Sequence, residues 1–474
     1  MPLTNEQREL RKRIYKNLDP FEPLDPAKPN FTLYQPIYQD SGLEDPVKRL
    51  EENIELSGIE SLQLFSGFRG SGKTTELFRL RKALEEQGQL VLYADALDYI
   101  NPSEPIEISD LLIVLAGAFD DAIRKHEALQ GHHEGVLRQP FWDRMKNFFL
   151  NLRIEPEQIG GKLEFESPAS QVIGGLKGGI DLKLALKSAP AFRKNVQKLL
   201  AGRIGELKNE THAFFEEGVK SIQQFFDDER QVVFIFDSLE QLRGSLFNEQ
   251  EVLQSATRLF SNHLSLLQIP YIHAVYTVPA WFKFVKPSVE NPITIPSIRQ
   301  WENDEARTRY DNGWNALLTL TKKRFGEKGF KDFFGEDAVV AKRRAEELIS
   351  VCGGHFRDLL RMLREVVRRA DVWPVSAEVL AAAVSELQKQ FMPIALDDAK
   401  WLDGIGKFRD CVLPSLETDY INRLTRFLDL HFVLYLTNGK DWYDVHPLIR
   451  DEVAAIIERQ QKNGSSEQLT LPSG

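Results

Sequence analysis

Apolar residues along this chain follow two periods, and their alternation predicts a sheet wrapped by helices. Short, nearly unbroken apolar runs at Leu62–Ser66, Leu90–Ala94 (LVLYA), Gln231–Phe236 (QVVFIF) and Tyr271–Val278 predict strands buried on both faces, the pattern of a parallel sheet. Between them the spacing turns helical: Val47, Leu50 and Ile54 share one face, as do Leu77, Leu80 and Leu84, and further helices are predicted over Ile108–Ile123 and Glu251–Leu267. Apolar positions from Phe192 to Phe226 predict one long helix, or two that meet near Gly202 or Gly205. The alternation in KLEFE and IDLKLAL, across a glycine-rich stretch, predicts a β-hairpin inside an insertion at 126–190. Phe31–Tyr38 reads as an aromatic strand, and beyond residue 300 helices dominate.

These runs divide the chain. PFEPLDPAKPN carries four prolines, so residues 1–30 are expected to be an extended arm after a short charged helix. Residues 31–300 are the α/β core, 301–395 a helical segment, 396–460 a small C-terminal domain, and 461–474 a tail disordered by composition.

One loop carries the clearest chemistry. Gly67–Thr74 reads GFRGSGKT, directly after an apolar strand and directly before an amphipathic helix, the setting a phosphate-binding P-loop requires. Gly67, Gly70 and Gly72 let backbone N–H groups converge on an anion, with Arg69, Ser71 and Thr75 completing the loop and the helix start adding its positive dipole end. Lys73 is expected to neutralise the β and γ phosphates of ATP, and the Thr74 hydroxyl to ligate Mg2+. Asp237 ends the most apolar strand and is the candidate acid for Mg2+, unless it only caps the next turn. Glu240, three residues on, is placed to orient an attacking water or is a solvated first-turn glutamate. Arg357, Arg361, Arg364 and Arg368, spaced four, three and four apart, form a basic stripe opposite Leu359, Leu360, Leu363, Val366 and Val367. Arg357 follows Gly353 and Gly354 and can approach a phosphate, while the remaining three face a neighbouring subunit, nucleic acid or solvent. Arg324 is a weaker candidate of the same kind.

Composition changes this picture little. The 474 residues exceed one hydrophobic core, and a net charge of −10 argues against a surface that is a nucleic-acid field throughout. Cys352 and Cys411 cannot build a disulfide framework, which with the absence of an apolar leader or span points to a cytoplasmic protein. His132 and His133 sit in a polar turn and His446 precedes Pro447; none shows metal-ligand spacing, so no structural zinc is expected.

At these motifs the chain resembles the AAA+/STAND branch of bacterial P-loop ATPases, over most of residues 31–450. LQLFSGFRGSGKTTELFRL is similar to their phosphate loop, FIFDSLEQLRG to their acidic strand motif, and YTVPAWF to their sensor strand, which puts Thr277 where a polar residue feels the γ-phosphate. CGGHFRDLLRML resembles the opening of a lid helix, making Arg357 the second sensor, and DWYDVHPLIRDEV resembles the end of a winged-helix domain. The likeness implies a strap over adenine near Pro36, Ile37 and Tyr38, residues that core packing explains equally well. Ser238 stands where the family carries a second acid, which implies slow turnover. The resemblance therefore implies a nucleotide-dependent switch acting on a protein partner or effector in bacterial signalling or antiviral defence, with a homo-oligomer compatible. The other reading is a DNA-associated ATPase of the replication-initiator or transposition-helper kind, binding through its winged helix; balanced charge over 396–460 argues mildly against it.

Overall fold

The computed structural model describes residues 3–129, 137, 139–152, 179–244, 247–284, 292–413 and 418–468. The chain divides into two compact units: one of Met1–Arg49, Gly67–Arg79 and Thr294–Gly474, the other of Leu50–Ser66 and Leu80–Ile293.

The second unit is built on the predicted strands. β1 (Ser61–Gly67), β2 (Leu90–Asp95), β3 (Val232–Asp237) and β4 (Ile272–Val278) are the predicted strands, and with the short, unpredicted β5 (Ile293–Ile295), where the chain passes from this unit to the other, the sheet order is β2-β3-β4-β1-β5. β1 pairs parallel to β4 from Ser61↔His273 to Ser66↔Val278, and β2 parallel to β3 from Leu90↔Val232 to Asp95↔Asp237. Every residue of β3 and β4 is buried, which is why their sequences are unbroken apolar runs. Helix Ile108–Lys125 packs on β2 and on helix Ile204–Phe226. Its Phe119 meets Phe215 and Phe234 edge-on, with ring centroids 5.1 and 5.8 Å apart.

In this unit one of two expected forms of the long helix is realised and one expected strand is not, each for a local reason. The long helical pattern splits into Pro190–Leu200 and Ile204–Phe226, and Gly202 between them takes φ +78°. IDLKLAL is not a strand but lies in helix Gly179–Ser188. Its alternation also sets Leu182 and Leu186 one helical turn apart, and both are buried while Leu184 is 61% exposed. KLEFE, His132 and His133 lie outside the described residues.

In the first unit, helices Asp311–Phe325, Glu327–Phe334, Ala338–Val351, Phe356–Arg369 and Ala377–Gln388 precede a winged-helix-like end. That end comprises helices Leu396–Phe408 and Thr418–Asp429, the antiparallel pair β6 (Val433–Thr437) and β7 (Asp441–Val445), and helix Pro447–Gln468. Buried Asp444 holds it to the preceding loop, accepting from Trp301 Nε1 at 2.9 Å, from Arg307 at 2.9 Å and from Arg450 at 3.0 Å, with Arg409 a further partner. The arm begins with helix Asn5–Asn17, capped by Thr4 and Gln7, whose Arg11 donates to Val367 O at 2.8 Å. Phe31–Tyr38 is not a strand: Pro29 starts a 3-10 turn to Leu33 and Pro36 precedes helix Ile37–Asp40, so Phe31 and Tyr34 stack at 4.9 Å. The expected disordered tail is helical as far as Gln468, and 469–474 lie outside the described residues. No helix among the described residues is long and apolar enough to cross a membrane.

Gly117 gives a test of this packing, because a Cβ there would stand 2.1 Å from the Trp142 ring. Alanine is intrinsically better in a helix by about 1 kcal/mol, but the buried ring cannot yield by that much. Gly117→Ala is therefore expected to destabilise the protein by about 1–3 kcal/mol in urea unfolding; a gain in stability would show that helix Ile108–Lys125 and the Trp142 helix, Phe141–Asn151, are not packed this way.

Candidate functional site

The phosphate loop leaves β1 at Gly67 and enters helix Lys73–Glu86. Gly70 and Gly72 adopt φ +91° and +93°, conformations that side chains rarely allow, and the Ser71 N–H donates to Phe68 O at 3.1 Å. Lys73 is 4% exposed and its ammonium donates to Gly67 O at 2.9 Å and Phe68 O at 3.0 Å. The Ser71 hydroxyl is buried and has no hydrogen-bond partner among the described residues. An orphaned hydroxyl, a buried ammonium and two glycines at a helix N-terminus fit a phosphate. Thr75 is occupied otherwise, its hydroxyl accepting the Leu24 N–H at 3.0 Å. Thr74 is half-buried and Arg69 exposed.

A second segment closes on the loop. Gly353 and Gly354 take φ +62° and +70°, and a Cβ at Gly354 would stand 1.8 Å from Ile298 O, so only glycine permits this approach. The next residues start helix Phe356–Arg369 against the phosphate loop. A Cβ at Gly70 would lie 2.7 Å from Arg357 Cβ, and one at Gly72 would lie 3.7 Å from the Phe356 ring. Tyr38 donates its hydroxyl to Ser71 O at 2.7 Å and meets the Phe356 ring edge-on at 5.8 Å. Arg357 lies over the Phe21 ring at 5.3 Å and its Nε donates to Pro20 O at 3.3 Å. Further along the stripe, Arg364 pairs with Asp19 at 3.5 Å and lies over Tyr15, and Arg368 pairs with Glu365 at 2.5 Å. Arg324 is buried elsewhere in this unit, donates to Asn17 O at 2.7 Å, and burial pushes its guanidinium down to about 10.

Behind Arg357 lies a buried polar cluster. His355 bridges Arg69 O (Nε2, 3.0 Å) and Asp358 Oδ2 (Nδ1, 2.8 Å). His431 Nδ1 approaches the same carboxylate oxygen at 3.3 Å and His446 Nε2 at 3.6 Å, while Arg361 reaches the other oxygen at 3.4 Å. Burial favours a neutral Asp358, yet His355 and His431 outweigh it and hold the carboxyl well below its usual range. Burial pushes His431 down to about 4 and His446 to about 3.

The acidic motif belongs to the second unit, where parallel pairing puts the C-terminal ends of β1, β3 and β4 along one edge of the sheet. Asp237 is buried there, with Oδ2 accepting from Tyr93 O–H at 3.0 Å and Oδ1 from the Ser238 N–H at 2.7 Å. Ser238 takes φ 70°, and the half-buried Glu240 sits in the 3-10 turn that follows. Thr277 is fully buried and its hydroxyl accepts the Leu239 N–H at 3.1 Å, which ties the acidic turn to β4.

The structure thus brings Gly70, Ser71, Gly72, Lys73 and Arg357 together within one unit. Sequence reasoning missed His355, Phe356 and the convergence of His431 and His446 on Asp358. Spacing of 76 and 15 residues carries no ligand signature, and only His446 stood out, beside Pro447.

No family model matches the chain, and no curated protein matches it. Among solved structures it is similar to the Aeropyrum pernix ORC2 protein in its ADPNP-ADP complexes, at 13% identity and TM-score 0.37, covering 95% of this chain and 98% of that one. The ADP form of that protein aligns at 13% and 0.36, covering 94% and 98%. Cdc6p from Pyrobaculum aerophilum aligns at 11% and 0.32 over the same shares.

The histidines predict a pH dependence. An unfolded histidine titrates near 6.5, so as pH falls below that value the unfolded chain takes up protons that His431 and His446 refuse until pH about 4 and about 3. Their contribution is complete above pH 6.5 and is lost as pH falls toward about 4 for His431 and about 3 for His446, with a slope of about 1.4 kcal/mol per pH unit for each. Urea titrations in EDTA at pH 7.5 and 5 check it: His446→Asn is expected to flatten the slope, and an unchanged slope would remove His446 from the account.

Proposed function

We propose that this chain is an ATP-binding, slowly hydrolysing ATPase of AAA+/STAND-like type that acts as a nucleotide-dependent switch on a protein partner, in bacterial defence or signalling. One observation carries the reading: Arg357, at the start of a helix, rests against Gly70 of a loop already suited to phosphate. In the proposed binding mode Lys73 and the orphaned Ser71 hydroxyl meet the phosphates, and the first N–H groups of helix Lys73–Glu86 add their donors. Thr74, with Asp237 as its partner in the motif, is the proposed Mg2+ ligand; the ion supplies neutralising charge to the phosphate oxygens.

Arg357 makes the site a switch. An arginine pairs with a γ-phosphate in ATP but has nothing equivalent to hold in ADP, and a ligand shifts an equilibrium only by its differential affinity for the two states. A charge-assisted contact is worth roughly 1.5–3 kcal/mol, enough to move a balanced pair of conformations about tenfold or more. Glu240 is the proposed water-orienting carboxylate, and Ser238, in place of a second acid, accounts for slow turnover.

Three variants separate these roles. Lys73→Ala is expected to abolish ATP binding in calorimetry without unfolding the chain; unchanged affinity would sink the phosphate-loop assignment. Glu240→Gln is expected to bind ATP normally and hydrolyse it more slowly in a single-turnover assay, and equal rates would leave Glu240 a solvated glutamate. Arg357→Ala is expected to keep ADP affinity and lose about tenfold or more in affinity for a non-hydrolysable ATP analogue; equal losses for both nucleotides would contradict the switch.

A further inference from the structure

His355, His431 and Asp358 are all buried and each offers a ligand atom within 4.8 Å of the others, with the two Nδ1 atoms 2.8 and 3.3 Å from Asp358 Oδ2. Their surroundings decide which ring nitrogens carry hydrogen. The Arg69 carbonyl can only accept, so His355 Nε2, 3.0 Å away, bears the hydrogen. With Nε2–H committed to that carbonyl, Nδ1 can face Asp358 Oδ2 at 2.8 Å favourably only through a positively charged species, either a proton or a metal ion. His446 plays another part. Its Nδ1 accepts the Leu448 N–H at 3.2 Å, so Nε2 carries the hydrogen and lies 3.6 Å from Asp358 Oδ2, beyond hydrogen-bond reach and not a ligand. His431 has Nδ1 3.3 Å from that oxygen, and its Nε2 is buried without a hydrogen-bond partner among the described residues.

We propose that His355 Nδ1, His431 Nδ1 and Asp358 Oδ2 form a binding site for a divalent transition ion of the Zn2+ class. Two imidazoles and one carboxylate suit such an ion and not Mg2+, which prefers an octahedron of oxygens. Two ligands of a tetrahedral Zn2+, each about 2.0–2.1 Å from it, stand about 3.3 Å apart. The His431–Asp358 pair has that separation at 3.3 Å, and the His355–Asp358 pair reaches it by opening about half an ångström. For His355 the Arg69 carbonyl supplies the backing that metal-bound histidines usually have, fixing its tautomer and ring orientation. With three protein ligands, a fourth position is left for water or another donor. The ion would join the phosphate loop, the Arg357 helix and the winged-helix-like end through a single centre.

The full-length chain, purified without a histidine tag and free of nucleotide, is titrated with Zn2+ against a chromophoric chelator. One equivalent is expected to bind, with a rise in melting temperature over the EDTA-treated protein. His355→Asn and His431→Asn are each expected to weaken binding at least about 100-fold. Co2+ at the site is expected to give the visible bands of a four-coordinate N/O centre, a readout that needs no variant to fold. A folded wild-type chain that binds no more Zn2+ than His431→Asn would overturn the proposal and leave a proton as the cation between His355 and Asp358. Because nucleotide is absent, the outcome is independent of the ATPase reading.

Discussion

Burying one carboxylate sets the terms for much of the first unit. Asp358 sits on the first turn of helix Phe356–Arg369 with almost no exposure, and an ionised carboxylate there is costly unless its surroundings answer it. His355, His431 and Arg361 do so, with His446 packed beside them at 3.6 Å, and the histidines come from separate parts of the chain: His355 from the helix start, His431 from the turn before β6, and His446 from just after β7. His355 also holds the Arg69 carbonyl of the phosphate loop. The loop, the helix and the winged-helix-like end are thereby tied to a single charge. Replacing one partner leaves the others facing an uncompensated carboxylate, the costly way to disturb such a network.

The same approach depends on missing side chains. Gly70 leaves room for Arg357, Gly72 for the Phe356 ring, and Gly354 for the Ile298 carbonyl that accompanies the turn into the helix. Gly353 makes room on the other side, where a Cβ would stand 2.7 Å from Leu434 and 3.1 Å from His446. Four glycines thus serve two purposes: those of the phosphate loop shape its backbone, and those before the helix let backbone and ring pass at contact distance.

These features differ in how far the sequence revealed them. β3 and β4 were legible because burial on both faces leaves no polar position to confuse the period, and GFRGSGKT was legible because a nest of glycines before a helix is short and local. IDLKLAL was misread because one alternating heptapeptide satisfies both periods; packing on neighbouring helices, which no local pattern encodes, chose the helix. Phe31–Tyr38 was misread because aromatic content suggests a strand while Pro29 and Pro36 each introduce a helical turn. Arg357 was legible from two glycines and a helical stripe, whereas the histidine cluster was not. It gathers residues from 355, 431 and 446, and a long-range convergence of that kind appears only once the fold has closed the loops.

The arm bears on the proposed switch through the same arginine. Arg357 lies over Phe21, a ring that is 67% exposed, and donates to Pro20 O at a long 3.3 Å. An exposed cation–π contact is worth about 0.5–1 kcal/mol, and a neutral hydrogen bond at that length no more than about 1 kcal/mol. Neither contact alone matches the roughly 1.5–3 kcal/mol of a charge-assisted pair. A phosphate presented beyond Gly70 can therefore compete for the guanidinium against either arm contact, and it need not disturb Arg364, whose partners Asp19 and Tyr15 hold the same arm one turn or two along the helix. In the proposed mechanism the arm places Arg357 near the phosphate loop, and the arm's own anchorage through Arg11 and Arg364 keeps it in place when the arginine meets a phosphate.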